Sequence, residues 1–315
     1  MSKGQIIGGN HMKRLKNLVI VMLLIIVPSF LVGCSASAQT KIDIQKDKAK
    51  GFFWEAKKDD KVVYLVGTLH PVKGNINYLN STMEKILDNT DALALEVNLN
   101  DKEVLDKAQS IDKENLYLEK GELKGLLTKE EQVKLDKVLK DFNIEYNEVK
   151  YLSPDGFSSY IEEKQQEDGG FIYSSDLWLQ EIYETNKKDI VGLENAEEHF
   201  KLVYELTGSL KTFLAEYNSD LVGKGEKTMD EIGNAFIKGD AEYMEKRSEY
   251  LRKSNKELYE KLSKNRNIDM ANEIDKLVQG DKRYVVAVGT LHYFGQDSIL
   301  KQLEEKGYKI TKLQN

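Results

Sequence analysis

Thiols, imidazoles and proline are all scarce in this chain, and each shortage rules something out. Cys34 is the only cysteine among 315 residues, so no intramolecular disulfide can form and thiol catalysis is not available. Of three prolines only Pro71 and Pro154 lie beyond the N-terminal segment, which excludes a Pro-rich linker or stalk. Residues 1–33 contain no Asp or Glu at all, although the whole chain carries 53. Histidine occurs four times, and His11 falls in that acid-free segment. Two of the other three sit at the same position of a repeated tetrapeptide.

The tetrapeptide is Gly-Thr-Leu-His, at 67–70 and again at 289–292. Each copy closes a short apolar run, Val62–Val66 in the first case and Val285–Val288 in the second. Unbroken β-branched runs of that length predict strands buried on both faces. A glycine directly after such a strand permits a sharp turn or a close backbone approach. His70 and His292 then stand at the carboxyl ends of strands, where open α/β sheets place their ligands.

The N-terminal segment is basic first (Lys3, Lys13, Arg14, Lys16), apolar from Leu18 to Val32 and small-residued at its end, the layout of a secretory signal. Its close, Leu31-Val32-Gly33-Cys34, resembles a bacterial lipobox, which implies a lipid on Cys34 as the new N-terminus. An uncleaved anchor helix is the other reading, but the apolar run is shorter than the ~20 residues of a span and contains Pro28. Met12 is an alternative start to Met1. Residues 1–33 are thus expected to be a signal peptide, 35–50 a polar, flexible tether, and 51–315 one domain. Cleavage before Cys34 removes four of 46 basic residues and leaves 42 against 53 acidic ones, a net of −11. So acidic a body argues against a nucleic-acid partner and leaves membrane attachment to the lipid. The expected location is extracytoplasmic, on the bacterial cell membrane.

Along the body, Phe52–Ala56, a polar turn and Val62–Val66 predict a hairpin, and Met83–Leu87 a short helix. Asp91–Asn98 reads as a strand with Leu93, Leu95 and Val97 on one face and Ala92, Ala94 and Glu96 on the other. Thr128 to Glu131 has capping-box spacing, Ser153–Gly156 reads as a turn, and 165–170 as a loop. Ser174 or Ser175 caps a helix towards Thr185, and a strand Asp189–Leu193 ends at Glu194. The stretch 197–280 is helical, broken at Gly223–Gly225 and at Gly239-Asp240. Its last helix, Ser254 to Val278, carries Arg266 within an apolar stripe. A strand Tyr284–Val288, a helix Ser298–Lys306 and a strand Tyr308–Leu313 close the chain. Strand and helix alternate at both ends around a helical middle, which predicts a mixed α/β fold whose central sheet is completed by both chain ends, with a large helical insertion.

Taken in order, these residues resemble the TraB/PrgY/GumN family, which includes the Tiki proteins of animals. The two Gly-x-x-His motifs match at 67–70 and 289–292, and an acid at a strand end matches at Leu95-Glu96-Val97. A Leu-Glu pair matches at Leu193-Glu194, and an Arg-Asn pair at Arg266-Asn267. Asp176, Ala235–Asp240 and the closing Gly289, Gly295, Leu303 and Gly307-Tyr308 agree as well. Residues 152–155 lack the aromatic that usually follows the family's proline, and Tyr173-Ser174-Ser175-Asp176 replaces a more usual Gly-Ile/Leu-Asp. The resemblance implies a fold related to ChaN-type haem-binding lipoproteins and erythromycin esterases. It also implies metal-dependent peptidase activity or suppression of peptide pheromones.

Two imidazoles with one or two carboxylates suit a divalent transition ion such as Mn²⁺, Co²⁺ or Zn²⁺. His70, Glu96 and His292 are therefore the expected metal ligands; the alternatives are hydrogen-bonded core histidines and, for Glu96, a structural ion pair. Glu194 is either a further ligand or general base, or a helix N-terminal stabiliser. Arg266 either neutralises an acidic cluster or clamps an oxyanion, or it pairs with Asp269 or Glu273 on its own helix. His199 reads as a surface residue, and Trp54 and Trp178 as core. The expected activity is a lipid-anchored, metal-dependent peptidase acting on a peptide or exposed protein segment. Its rivals are a lipoprotein that captures haem or a peptide without cutting it, and a scaffold whose histidines only knit the sheet.

Overall fold

The computed structural model describes residues 48–73, 77–206, 210–217 and 219–313. The expected signal peptide, Cys34 and residues 35–47 of the expected tether lie outside them. The described residues fall into two compact units, one within Leu99–Gly169 and Ala196–Glu226, the other within Val32–Asn98, Gly170–Asn195 and Lys227–Asn315. Among the described residues no helix is long and apolar enough to cross a membrane.

The sheet unit contributes, in chain order, β1 (Phe53–Lys58), β2 (Lys61–Thr68), β3 (Val72–Lys73), β4 (Ala92–Leu95), β5 (Phe171–Tyr173), β6 (Asp189–Gly192), β7 (Tyr284–Gly289) and β8 (Lys309–Lys312). Six of them make one mixed sheet in the order β6-β4-β7-β2-β1-β8, and β3 pairs with β5 in a small second sheet. β6, β4, β7 and β2 run parallel, whereas β1 lies antiparallel to both β2 and β8. The β7 strand thus inserts between β2 and β4, and the predicted closure of one sheet by both ends of the chain holds. The expected hairpin is β1–β2, with Phe53 opposite Val66 and Lys58 opposite Lys61.

Alternation along the strands feeds two cores. Val63, Leu65, Ala92, Ala94, Val286 and Val288 face one side. Val66, Leu93, Leu95, Val285 and Ala287 face the other. On that second side lie α1 (Ser81–Asn89), through Met83 and Ile86, and α2 (Ser175–Thr185), through Leu179 and Tyr183. On the first lie α3 (Asn265–Val278), through Met270, Ala271, Ile274 and Val278, and α4 (Ile299–Glu305), through Ile299 and Leu303. Helices on both faces explain why β4 and β7 are apolar without interruption. Asn80 starts α1 by accepting from the Thr82 and Met83 amides, and Ser174 starts α2 by accepting from Leu177.

The helical unit has its own core of Leu135, Val138, Leu139, Phe157, Ile161, Leu210 and Leu214. The capping box at Thr128 and Glu131 is present as expected. Several local expectations need correction. Ser153–Gly156 is no free turn: Ser153 caps the helix Pro154–Asp168, with Pro154 in its first turn, where a missing N–H costs nothing. That helix absorbs most of the predicted loop at 165–170. Gly223 and Gly225 do not break the helix Ser219–Lys238, whereas Gly239 (φ +66°) and Asp240, which caps the next helix, do. The predicted helix 254–278 is interrupted: Asn255 caps Lys256–Tyr259, a π-turn spans Glu260–Lys264, and α3 follows. His199, expected at the surface, is buried, with its ring edge-on to Phe200. Lys48 to Lys50, read as the end of the tether, are tied into the sheet unit: the Ala49 amide donates to Asn77 and the Lys50 amide to Ile237.

Candidate functional site

The polar residues singled out in the sheet unit gather where the parallel strands end. β4 stops at Leu95, and Glu96 follows at once. Its backbone carbonyl accepts the amides of Leu193 (3.1 Å) and Glu194 (2.9 Å), just beyond β6. This stitching sets two acids far apart in sequence side by side, each with only 11% of its side chain exposed. An oxygen of each lies within 4.8 Å of one of the other, close enough to share a metal ion.

Two buried carboxylates repel and lose hydration, so they need a counter-charge. Arg266 supplies it from the first turn of α3, directly after the π-turn, the kind of helical irregularity that clusters at functional sites. Its Nε and Nη2 fork onto the two oxygens of Glu194, both at 2.7 Å, and Nη2 also reaches Glu96 Oε2 at 2.7 Å. Burial works against its charge, but Glu96 and Glu194 outweigh that and hold the guanidinium even further above its usual value. Asp269 and Glu273, the helix partners weighed above, are not the ones it takes.

The remaining oxygen of Glu96, Oε1, accepts the Gly289 amide at 2.8 Å and lies 3.7 Å from His292 Nε2. The second Gly-Thr-Leu-His therefore wraps the acid with its first and last residues, helped by the 3₁₀ turn Thr290–Tyr293. The other ring nitrogen of His292 is fixed from behind. Asn267, buried on α3, donates its amide nitrogen to the Asp297 carbonyl at 2.8 Å, so its oxygen is the atom 2.5 Å from His292 Nδ1. Nδ1 then carries a hydrogen, and Nε2 is the ring nitrogen that faces Glu96.

The first copy behaves differently. β2 and β7 pair with Thr68 opposite Gly289, so the two motifs are staggered by one residue, and the Thr290 hydroxyl donates to the Thr68 carbonyl at 2.7 Å. His70 lies outside any helix, in line with the bias that Pro71 places on it. Its Nε2 lies 3.2 Å from Asp176 Oδ2 in the first turn of α2. The Ser175 hydroxyl locks the two segments together by accepting the Leu69 amide at 2.8 Å. Burial pushes the Asp176 carboxyl up to about 7, and the nearby Glu96 charge adds to the rise against the hydroxyls of Thr68 and Ser174. Asp176 keeps 19% of its side chain exposed, so solvent moderates that rise.

Glu96, Glu194, Arg266 and His292 thus form one connected group, while His70 enters with Asp176. Asp176 and Asn267 had no assigned role in the sequence reading, although both stood among the residues that carried the resemblance. Only partner geometry reveals what they do.

An α/β unit with buried acids and imidazoles at the carboxyl ends of its parallel strands is the class that fold and site define. The TraB/PrgY/gumN family model matches residues 52–312, and the chain belongs to that family. No curated protein and no solved structure matches it.

Proposed function

We propose that the chain is a divalent-metal-dependent hydrolase that cuts an amide bond in a peptide or exposed protein segment. We further propose that it is held outside the cytoplasm by a lipid on Cys34. The carrying observation is the approach of His292 Nε2 to Glu96 Oε1 at 3.7 Å, with Nδ1 anchored on Asn267. A ring nitrogen and a carboxylate oxygen facing each other suit a positive species between them: a proton on the ring, or a cation bound by both. An imidazole whose far nitrogen is held by a second group is how proteins orient a metal ligand.

The donor set fits such an ion. Glu96 and Glu194 bring carboxylate oxygens within 4.8 Å of one another, and carboxylate and imidazole donors suit a divalent transition ion. Glu96 and His292 would hold the ion, with Glu194 completing the set. When bound, a Mn²⁺, Co²⁺ or Zn²⁺ ion polarises a substrate carbonyl and makes a water acidic. Arg266 keeps the two acids compatible within one buried cluster. The His70–Asp176 pair, with a carboxyl near 7, takes the proton of the attacking water and returns it to the amide nitrogen as the C–N bond breaks.

The test is peptide cleavage by protein stripped of metal and reloaded with each ion. Activity should return with metal and be lost in His70→Ala and His292→Ala. Cleavage independent of metal, or variants matching wild type, would sink the reading. Peptide bound but uncut would favour the capture lipoprotein instead.

A further inference from the structure

Tyr259, the last residue before the π-turn, has no part in the reaction proposed above, yet it is tied to the same site. It is 2% exposed and donates its hydroxyl to Asp297 Oδ2 at 3.0 Å. Burial, with Asp297 beside it, pushes the phenol up to about 12, so it stays a donor at neutral pH. Asn267, beyond the π-turn on α3, donates to the backbone carbonyl of the same Asp297 at 2.8 Å. In a regular helix, residues eight apart stand about 80° apart around the axis. The π-turn Glu260–Lys264 takes up one residue more than an α-helical turn and brings the two close to one face. One irregular helix thereby grips Asp297 twice, by its side chain and by its main chain.

The segment between His292 and Asp297 is held from a second helix as well. Ser248, buried on Ala241–Ser254, donates to the Phe294 carbonyl at 3.1 Å, and Glu245 accepts the Gly295 amide at 3.0 Å. Gly295 has φ +92°, and a Cβ there would run into Ser248 Oγ. What these bonds hold in place is the carbonyl that fixes Asn267, and Asn267 in turn meets Nδ1 of His292. We propose that Tyr259 is a positioning residue for His292, its hydroxyl acting through Asp297 and Asn267 to aim Nε2 at Glu96. Any effect on a bound cation rests on the hydrolase reading, whereas the effect on the ring does not. A tyrosine that only filled space would be replaced by phenylalanine at little cost.

The experiment compares the full chain with Tyr259→Phe, Asp297→Ala and the double variant. Tyr259→Phe keeps the aromatic ring and removes one oxygen, and Asp297→Ala breaks the same bond from its other end. Urea unfolding checks that each is folded. Nitrogen NMR of metal-free protein reads the His292 ring, assigned by its loss in His292→Ala, and Co²⁺ titration reads the site. Tyr259→Phe should shift the His292 nitrogens towards shared protonation and lower Co²⁺ affinity about 3- to 10-fold, less than loss of a group touching the ligand itself. Asp297→Ala should do the same, and the double variant should lose no more than the worse single, because one bond is broken in each. Ring signals and Co²⁺ affinity equal to wild type in folded Tyr259→Phe would overturn the positioning role and leave the hydrolase reading standing. Additive losses in the double variant would also overturn it. A shifted ring in Tyr259→Phe, with wild type binding no Co²⁺, would uphold the positioning role and remove the metal.

Discussion

Asn267 decides which nitrogen of His292 carries the hydrogen. The asparagine oxygen lies 2.5 Å from Nδ1 because its amide nitrogen is committed to Asp297. Asp297 is held in turn, since its side chain accepts the Tyr259 hydroxyl at 3.0 Å. The histidine facing Glu96 is therefore oriented by a chain of contacts running back to the segment before the π-turn.

Replacing Asn267 with Leu should free the ring and mix its tautomers. Nitrogen NMR of the imidazole should show protonation shared between Nδ1 and Nε2, with divalent-ion affinity lowered roughly 10- to 100-fold. Asn267→Asp keeps an acceptor at Nδ1 and should lose less. An unchanged tautomer in Asn267→Leu would show that the orientation comes from elsewhere.

Arg266 is the counter-charge for two buried acids. Arg266→Met should destabilise the protein by about 3–5 kcal/mol, because Glu96 and Glu194 are left buried without it. Lys at this position keeps the charge but cannot reproduce the two-point grip on Glu194, so it should restore only part of the loss. Urea unfolding of the three proteins measures this directly. A midpoint in Arg266→Met equal to wild type would contradict the assigned pairing.

Asp176 makes stability depend on pH in a definite direction. Its carboxyl is near 7 when folded against an ordinary value of 3.8, so between these values the folded state binds the extra proton. Its contribution is fully present at low pH and is lost as pH rises from about 4 through 7. Asp176→Asn should flatten that part of the stability profile and be more stable than wild type at pH 8, by more than ~1 kcal/mol. His70 lies 3.2 Å away, so the comparison is repeated in His70→Ala to separate the two. Parallel profiles for wild type and Asp176→Asn would rule out the raised carboxyl.

The two motif glycines should fail for different reasons. A Cβ on Gly67 would meet Thr290 Oγ1 at 2.8 Å and Phe52 Cβ at 3.3 Å inside the sheet, so Gly67→Ala should cost about 1–3 kcal/mol of stability. On Gly289 the nearest atoms are Glu96 Oε1 at 3.2 Å and His292 Cδ2 at 3.5 Å. Gly289→Ala should fold and displace the acid, which divalent-ion affinity would report. A folded, metal-competent Gly289→Ala would argue against the site.

Much of this architecture was legible beforehand because its signals are local. Val62–Val66 and Val285–Val288 are strands by composition, and the faces of β4 follow from alternation alone. What escaped depends on contacts between distant segments. Asp176 is one acid among many until α2 sets it against His70, and Asn267 beside Arg266 looks like an ordinary helix residue. The turn signal at Ser153-Pro154 and the helix-start signal use the same residues, so composition could not choose between them. Arg266 in an apolar stripe was visible as an anomaly, but its partners lie 72 and 170 residues away.

The central claim is that Glu96 and His292 jointly hold a cation. Titration of metal-stripped protein with Co²⁺, followed by calorimetry and by visible absorption, tests it most directly. The account predicts saturable binding with ligand-field bands that weaken sharply in both Glu96→Gln and His292→Ala, while the two variants remain folded. Wild type that binds no Co²⁺, or variants that bind it as wild type does, would contradict the account.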